Sequence, residues 1–399
     1  MSPEDVVCDY VDIALRLDRL LPGAVELPVV GRRVEAWSPA AVVRAAGRLA
    51  ASLPDALGSD RRDFLRGQLT AIEWAARRLA GQDVPYVDEV LAAFGMRIRY
   101  GCEDIYRQAH RDIDALLAGP GTTAERLAAH RARDVIPRDL LPAALDAVSA
   151  ALRGRSALRV PLPDQESVEY RIVDDAPWGA LHQYLGQFRS RITVNAGARH
   201  RGAQLVQLLA HEAYPGHHVE RCRKEAGLVA AGWHEHRMVL ANSPQALIAE
   251  GAAELGLHAA VGPGWGPFAA DVLGEVGLAF DGEVAERLDA ATAPLAGVRQ
   301  DAALLLHQDR ASVAEVIAYL RRWLLVDESR AVQLVRFLRH PLWRIYTTAY
   351  AEGRPLVRAW FDAAPGAARF RRLLDEPLTP AVLRAEAAPV TRMGGGRTG

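Results

Sequence analysis

Apolar positions recur at helical spacing along residues 4–20, where Val6, Val7, Tyr10, Val11, Ile13, Ala14, Leu17 and Leu20 interleave with charged residues. The pattern stops at Pro22-Gly23. The same period predicts helices over 40–53, opened by Pro39, and over 59–80, where Phe64, Leu65, Leu69, Ile72, Ala75 and Leu79 form the apolar stripe. Further helices follow over 87–94, 105–117, 123–133 and 142–153. Thr122-Thr123-Ala124-Glu125 offers an N-cap and an acidic first turn for the helix over 123–133. The pattern then changes. Leu158, Val160, Leu162, Val168, Tyr170 and Ile172 fall in a proline-bearing stretch, and Arg191-Ile192-Thr193-Val194-Asn195 is β-branched and runs into Ala-Gly; these two stretches read as strands. From about residue 202 the helical period returns over 202–213, 216–226, 243–260, 268–292, 295–307, 312–323, 327–339 and 341–362.

The expected fold is therefore mainly α, a large helical domain with a small β hairpin or sheet beside the helix over 202–213. A helical region over 1–155 would pack with a second region over 156–390 as one unit, and the glycine-rich tail over 391–399 would be disordered. No internal repeat or low-complexity linker interrupts this reading.

Composition narrows the partners. The 399 residues are half hydrophobic, which supports a large core, and 48 basic residues stand against 49 acidic ones, so neither a nucleic-acid footprint nor an acidic tail is expected. Lys is nearly absent and Arg abundant, which with so much Ala reads as compositional bias. Cys8, Cys102 and Cys222 are odd in number and far apart, which points to a reducing compartment rather than a disulfide framework. The first residues, Met1-Ser2-Pro3-Glu4-Asp5, carry no positive n-region or apolar h-region, and no apolar run reaches the roughly 18 residues of a spanning helix. A cytoplasmic protein with no membrane partner is expected.

The chemistry concentrates in His211-Glu212-Ala213-Tyr214-Pro215-Gly216-His217-His218. Its opening is that of H-E-x-x-H, in which two histidines on one helix face hold zinc and the Glu is the general base. Here the position four after His211 is Pro215. On an ideal helix His217 would lie about 240° round from His211, and His218 about 10 Å further along the axis. Pro215 cannot donate to the carbonyl of His211, and Gly216 permits unusual backbone angles, so the helix should kink or bulge after His-Glu. That would carry His217 to the place of the second ligand, with His218 as the alternative. The third ligand is sought in Ile248-Ala249-Glu250-Gly251-Ala252-Ala253-Glu254, where two glutamates four apart share one face of a helix of small residues. Glu250 could reach the metal while Glu254 accepts the far N–H of a ligand histidine. Cys222 reads as a small buried hydrophobe rather than a soft ligand. Trp233-His234-Glu235-His236-Arg237 reads as a solvated or substrate-facing segment.

His-Glu-x-x-Pro-Gly-His-His followed some thirty residues later by Glu-Gly-x-Ala resembles the bacterial domain-of-unknown-function 885 family, regarded as zinc-peptidase-like, mostly helical and distantly similar to helical metallocarboxypeptidases and oligopeptidases of the Glu-zincin type. The resemblance covers about 160–365. It takes in Thr193-Val194-Asn195, His307, the segment 312–320 and Tyr350-Ala351-Glu352-Gly353. This chain departs from the family where Pro-Gly-Gln is missing ahead of Tyr350, and where Ala252 replaces a tryptophan, so it reads as a divergent member.

The resulting expectation is a zinc-dependent hydrolase of a peptide or small amide bond. His211, His217 and Glu250 would hold Zn2+, with Fe2+ or Mn2+ as alternatives, and Glu212 would be the general base. The resemblance puts Tyr350 first as oxyanion donor, with Tyr346, Arg344 and His307 behind it, and brings in Asn195 as a substrate contact. Arg299 and Arg344 could hold a terminal carboxylate. Two other readings use the same residues: a biosynthetic lyase or iron-dependent oxidative enzyme, and a non-catalytic scaffold with a vestigial site.

Overall fold

The fold is described from a computed structural model over residues 1–28, 34–176 and 178–388; the expected tail over 391–399 lies outside the described residues. The chain is mainly α, with one sheet of three strands and one of two. N-terminal helices Pro3–Leu20, Pro39–Ala51, Ser59–Leu79, Tyr86–Phe94, Glu103–Leu116, Thr123–Arg133 and Leu141–Ala157 form where the apolar period places them. Thr122 caps its helix as the sequence suggests: its hydroxyl accepts from the Glu125 N–H while the Glu125 carboxylate accepts from the Thr122 N–H.

Two apolar cores form. The smaller joins residues from the first three helices, among them Tyr10, Phe64 and Leu69, to Met238, Leu240 and Leu342. The larger runs from Tyr86 to Leu383, so the helices between residues 86 and 157 share it with those that follow residue 156. The packing boundary thus lies near residue 80.

Strands β1 (Val25–Glu26) and β5 (Val239–Leu240) pair antiparallel. In the larger sheet β2 (Ser167–Val173) runs parallel to the central strand β4 (Arg189–Asn195), and β3 (Ala180–Gly186) pairs antiparallel on its other side. The stretch around Leu158–Leu162 is not a strand, and β3 is an addition to the sequence reading. It joins β4 through Gln187 and Phe188, both at positive φ, 54° and 60°, where hairpins usually carry Asn or Gly.

Downstream, the helix expected over 268–292 is two helices, Trp265–Gly274 and Gly282–Thr292. Gly277 at φ +83° breaks the first, and Asp281 caps the second by accepting from the Val284 N–H. Residues 341–346 form turns ahead of the helix Thr347–Asp362, and two short helices, Ala367–Asp375 and Pro380–Ala387, close the described chain.

The helix Pro244–Ala260 is apolar on nearly all sides, and twelve of its residues are buried, the pattern of a helix enclosed by others. Small residues set its contacts. A Cβ on Gly251 would stand 2.4 Å from the Gly353 carbonyl oxygen of the helix Thr347–Asp362, and one on Gly256 would stand 3.2 Å from both the Ala210 carbonyl and Pro215 Cδ. These two crossings hold Glu250 between the histidine motif on one side and the tyrosines of residues 346–350 on the other.

Gly251→Ala should therefore destabilise the protein by about 1–3 kcal/mol, because the clash is with backbone that cannot rotate away. Gly154→Ala, in a helix where nothing lies within 4 Å of the added carbon, should stabilise by about 0.5–1 kcal/mol. Urea midpoints of the two variants check both signs.

Candidate metal centre

The helix Gly202–Glu212 buries Leu205, Val206, Leu209 and Ala210 on its inner face and ends on the two motif residues His211 and Glu212. The expected kink is a full break. Residues 213–216 leave helical geometry, the Tyr214–Pro215 peptide is cis, and a new helix starts at His217 and runs to Lys224. Gly216 packs so closely on the end of the first helix that a Cβ there would lie 1.8 Å from the His211 carbonyl oxygen. Glycine is thus required at this point.

The break brings His217 to His211. Their Nε2 atoms are 3.1 Å apart. Glu250 completes a triangle, with Oε2 3.3 Å from His211 Nε2 and Oε1 3.5 Å from His217 Nε2. Zinc bonds of about 2.0–2.1 Å in a tetrahedral site put ligand atoms about 3.3 Å apart, so the spacing and the N, N, O donor set fit zinc. Glu250 Oε2 is buried and accepts no hydrogen bond, which leaves a lone pair for a cation. Each histidine also has a carboxylate behind it. His211 Nδ1 lies 3.4 Å from Glu254 Oε1, and His217 Nδ1 lies 3.8 Å from Glu220 Oε2. Such partners fix the ring so that the other nitrogen faces the metal. Glu220 in turn pairs with the buried Lys224.

A second carboxylate competes for the third position, since a Glu212 oxygen lies within 4.8 Å of ring nitrogens of both histidines. Two carboxylates thus stand against the same pair of histidines, Glu250 at 3.3 and 3.5 Å from their ring nitrogens and Glu212 within 4.8 Å.

The electrostatics follow from burial and these contacts. Burial disfavours a charged imidazole, but the Glu250 and Glu254 carboxylates outweigh it and hold His211 well above its ordinary range. For His217 burial is likewise overcome by Glu250 and Glu220, and its pKa is pushed up to about 10. Glu250 moves the other way: burial would raise it, yet the two histidines hold it far below the carboxylate range. Glu212 is raised, first by burial and then by the charges of Glu250 and Glu254, against the lowering effect of the two histidines.

Two tyrosines close one side. Tyr346 Oη donates to Glu250 Oε1 at 2.6 Å, and the Tyr350 ring stands 5.4 Å from that of Tyr346. Burial, followed by the charge of Glu250, holds both phenols well above their ordinary range, so they remain donors. Arg299 is exposed as a residue, but its guanidinium is packed among other groups, and this desolvation holds its pKa below the ordinary range although the charges of Tyr350 and Glu254 raise it.

The remaining candidates have other partners. Both nitrogens of His218 are engaged, Nδ1 with Ser190 Oγ and Nε2 with Glu166 Oε2, each at 2.8 Å, and the ring is fully buried. His217 rather than His218 therefore faces His211 and Glu250. His307 Nε2 donates to the Leu338 carbonyl, and its ring stacks on Tyr86. Arg344 lies 3.5 Å from Glu89 and over the Tyr86 ring. Asn195 donates to the carbonyls of Ala176 and Trp178 and accepts from the Gly197 N–H, so it shapes the turn after β4. Cys222 is buried against His218, and burial pushes its thiol up, as expected of an inert core cysteine.

The solvated reading of 233–237 holds for His234 and Arg237, which are exposed, but not for the centre of the segment. It is a short 3-10 turn with Glu235 and His236 buried, because Glu235 pairs with Arg61 at 2.6 Å and His236 packs on Phe64.

Residues the sequence reading did not single out also reach the cluster. Glu220 sits one turn after His217, a spacing that marked it as a helix-face neighbour. His182 of β3 stands 5.9 Å from the His217 ring and hydrogen-bonds Ser190 Oγ. Glu166 accepts from His218, from Tyr214 Oη at 2.7 Å and from Arg153. Burial would raise Glu166, but these three donors bring its pKa down to about 2.

No known family's sequence model matches the chain, and no curated protein matches it. Among solved structures, one described as "the crystal structure of the putative lipoprotein from Colwellia psychrerythraea" is similar in fold, with a TM-score of 0.55 and 16% sequence identity. The match takes in 87% of this chain and spans 66% of that one.

Two outcomes follow. After zinc-replete expression, His217→Ala should lose stoichiometric zinc while His218→Asn keeps it, measured by elemental analysis of the purified proteins. Glu166, ionised more readily in the folded chain, stabilises it above the ordinary carboxylate pKa of 4.5, and this contribution is lost as pH falls toward about 2. Glu166→Gln should therefore flatten the decline in folding free energy between those values, measured by urea titrations at stepped pH.

Proposed function

We propose that this chain is a zinc-dependent hydrolase of peptide or small amide bonds. The observation that carries the reading is the convergence of His211 Nε2, His217 Nε2 and both Glu250 oxygens within 3.1 to 3.5 Å, with a Glu212 oxygen inside 4.8 Å of the same histidines. His211, His217 and Glu250 would hold the metal, which when bound polarises a substrate carbonyl and lowers the pKa of water toward about 7.

The chain's own residues supply the rest. The Glu212 carboxylate takes a proton from the attacking water and passes it to the departing amine, a task that a pKa raised by burial favours. Glu254 and Glu220 keep the two imidazoles oriented. Tyr350, in the first turn of the helix Thr347–Asp362 and four residues after Tyr346, is the donor assigned to the developing oxyanion, and its high pKa keeps the proton available. Arg299 is assigned to a carboxylate of the substrate.

A donor set of two histidines and one carboxylate also describes the iron facial triad. Fe2+ or Mn2+ with lyase or oxidative chemistry is therefore the second reading. The cytoplasmic assignment is part of the proposal and rests on three free cysteines. Among the described residues no helix is long and apolar enough to cross a membrane.

Glu212→Gln should retain zinc and lose at least about a hundredfold in turnover. The check is a screen of dipeptides and N-acyl amino acids run beside zinc analysis of the same samples. Wild-type protein that takes up no zinc, or a Gln variant as active as wild type, would reject the hydrolase.

A further inference from the structure

A cleft of about 660 Å3 is lined by none of the metal centre's residues. It opens at the packing boundary near residue 80, where the helix Ser59–Leu79 of the smaller core meets the helices Tyr86–Phe94 and Pro380–Ala387 of the larger one. Asp88, Leu91, Ala92 and Gly95 give one wall, at the spacing of a single helix face. Asp63, Gly67, Thr70 and Trp74 give a second wall in the same way. The first turn of the helix Pro244–Ala260 adds Pro244 and Gln245. The volume is that of a small-molecule site.

Polar groups without partners interrupt an apolar lining that includes Phe64, Trp74, Leu91 and Leu378. Gln245 is 7% exposed, and among the described residues its side-chain amide has no hydrogen-bond partner. Such an amide is costly to bury unless a ligand meets it. Gln68, 1% exposed, accepts from Tyr10 Oη at Oε1 and leaves Nε2 without an acceptor. The charges at the rim are only half matched. Asp63 pairs with Arg66 at 2.8 Å. Among the described residues Asp88 meets no cation, and the Arg384 guanidinium meets only the Met96 sulfur. Both side chains belong to exposed residues.

The positions of these two charges set the length of a ligand. Asp88 stands in the first turn of the helix Tyr86–Phe94, and Met96, which holds Arg384, lies just beyond its last turn. From residue 88 to residue 96 a helix rises about 12 Å. An extended chain covers about 3.3–3.6 Å per residue, so three or four residues span that distance and a single amino acid does not. A peptide group both donates and accepts, which is what the free amide of Gln245 lacks.

We propose that this cleft binds a short extended peptide of three or four residues with free termini. Its α-amine pairs with Asp88 and its α-carboxylate with Arg384. An internal peptide group exchanges hydrogen bonds with Gln245, and apolar side chains pack on Trp74 and Leu91. The site is separate from the metal centre and stands independently of the zinc reading.

The test is calorimetric titration of leucyl-alanyl-leucine, its N-acetyl derivative and its C-terminal amide. Full-length protein carrying Glu212→Gln is used, so that the hydrolysis proposed above does not consume the probes. Acetylation should weaken binding roughly two- to fivefold, the value of one exposed ion pair, and Asp88→Asn should remove that difference. Amidation should cost a similar factor, which Arg384→Gln should remove. Gln245→Leu, of similar size but apolar, should weaken all three probes roughly three- to tenfold. Urea midpoints of the variants verify that each is folded. A tripeptide that does not bind, or penalties that persist unchanged in Asp88→Asn and Arg384→Gln, would overturn the site. A dimer in sedimentation that Trp74→Ala dissolves would assign the cleft to a second copy of the chain and overturn it equally. Zinc content of the same samples decides the metal reading separately.

Discussion

Glu250 is the constraint around which the histidine motif and its neighbours are arranged. It is a carboxylate 5% exposed on a helix that is apolar almost all round. Such a charge is costly to bury unless positive partners meet it. Two imidazoles do so, from two different helices, and the geometry that allows it is built into the backbone. The break at residues 213–216 turns His217 back toward His211, and Gly216 lets the second helix start against the carbonyl of the first. Gly251 and Gly256 then let the helix Pro244–Ala260 come close enough on both sides for one carboxylate to touch both rings. Larger side chains at these glycines would separate the three side chains even with every one of them still present.

A second polar layer steadies the first. Glu166 receives Tyr214 from the break itself and His218 from the start of the next helix, so one buried carboxylate grips the chain on either side of Pro215-Gly216. Through Ser190 the same layer reaches the edge strand and His182. The sheet is small, yet it ties the break to the strand that borders the centre.

Much of this was legible in the sequence because it is local. The helices follow the 3.6-residue period, Thr122 and Glu125 form their cap, and Glu250 and Glu254 declare themselves as two acids on one face among small residues. Pro215 marked the end of the helix, although a bulge was expected and a break is found. What escaped the sequence depends on contacts distant along the chain. β3 carries only weak alternation, and its turn uses Gln187 and Phe188 rather than the usual Asn-Gly. Ser190 and His182 meet only through strand register, and Glu166 reaches His218 across 52 residues. The burial of Glu235 depends on Arg61, 174 residues away. His307, Arg344 and Asn195, suggested by chemistry or resemblance, have buried or local partners that no spacing rule reveals.

The central claim is that two imidazoles and one carboxylate hold zinc at the point where these three helices meet. X-ray absorption at the zinc edge, on protein purified after zinc-replete expression, tests it most directly. The account predicts about one zinc per chain with nitrogen and oxygen neighbours only, at about 2.0–2.1 Å, and the multiple scattering of two imidazole rings. Absence of stoichiometric zinc, or a sulfur neighbour at about 2.3 Å, would contradict it.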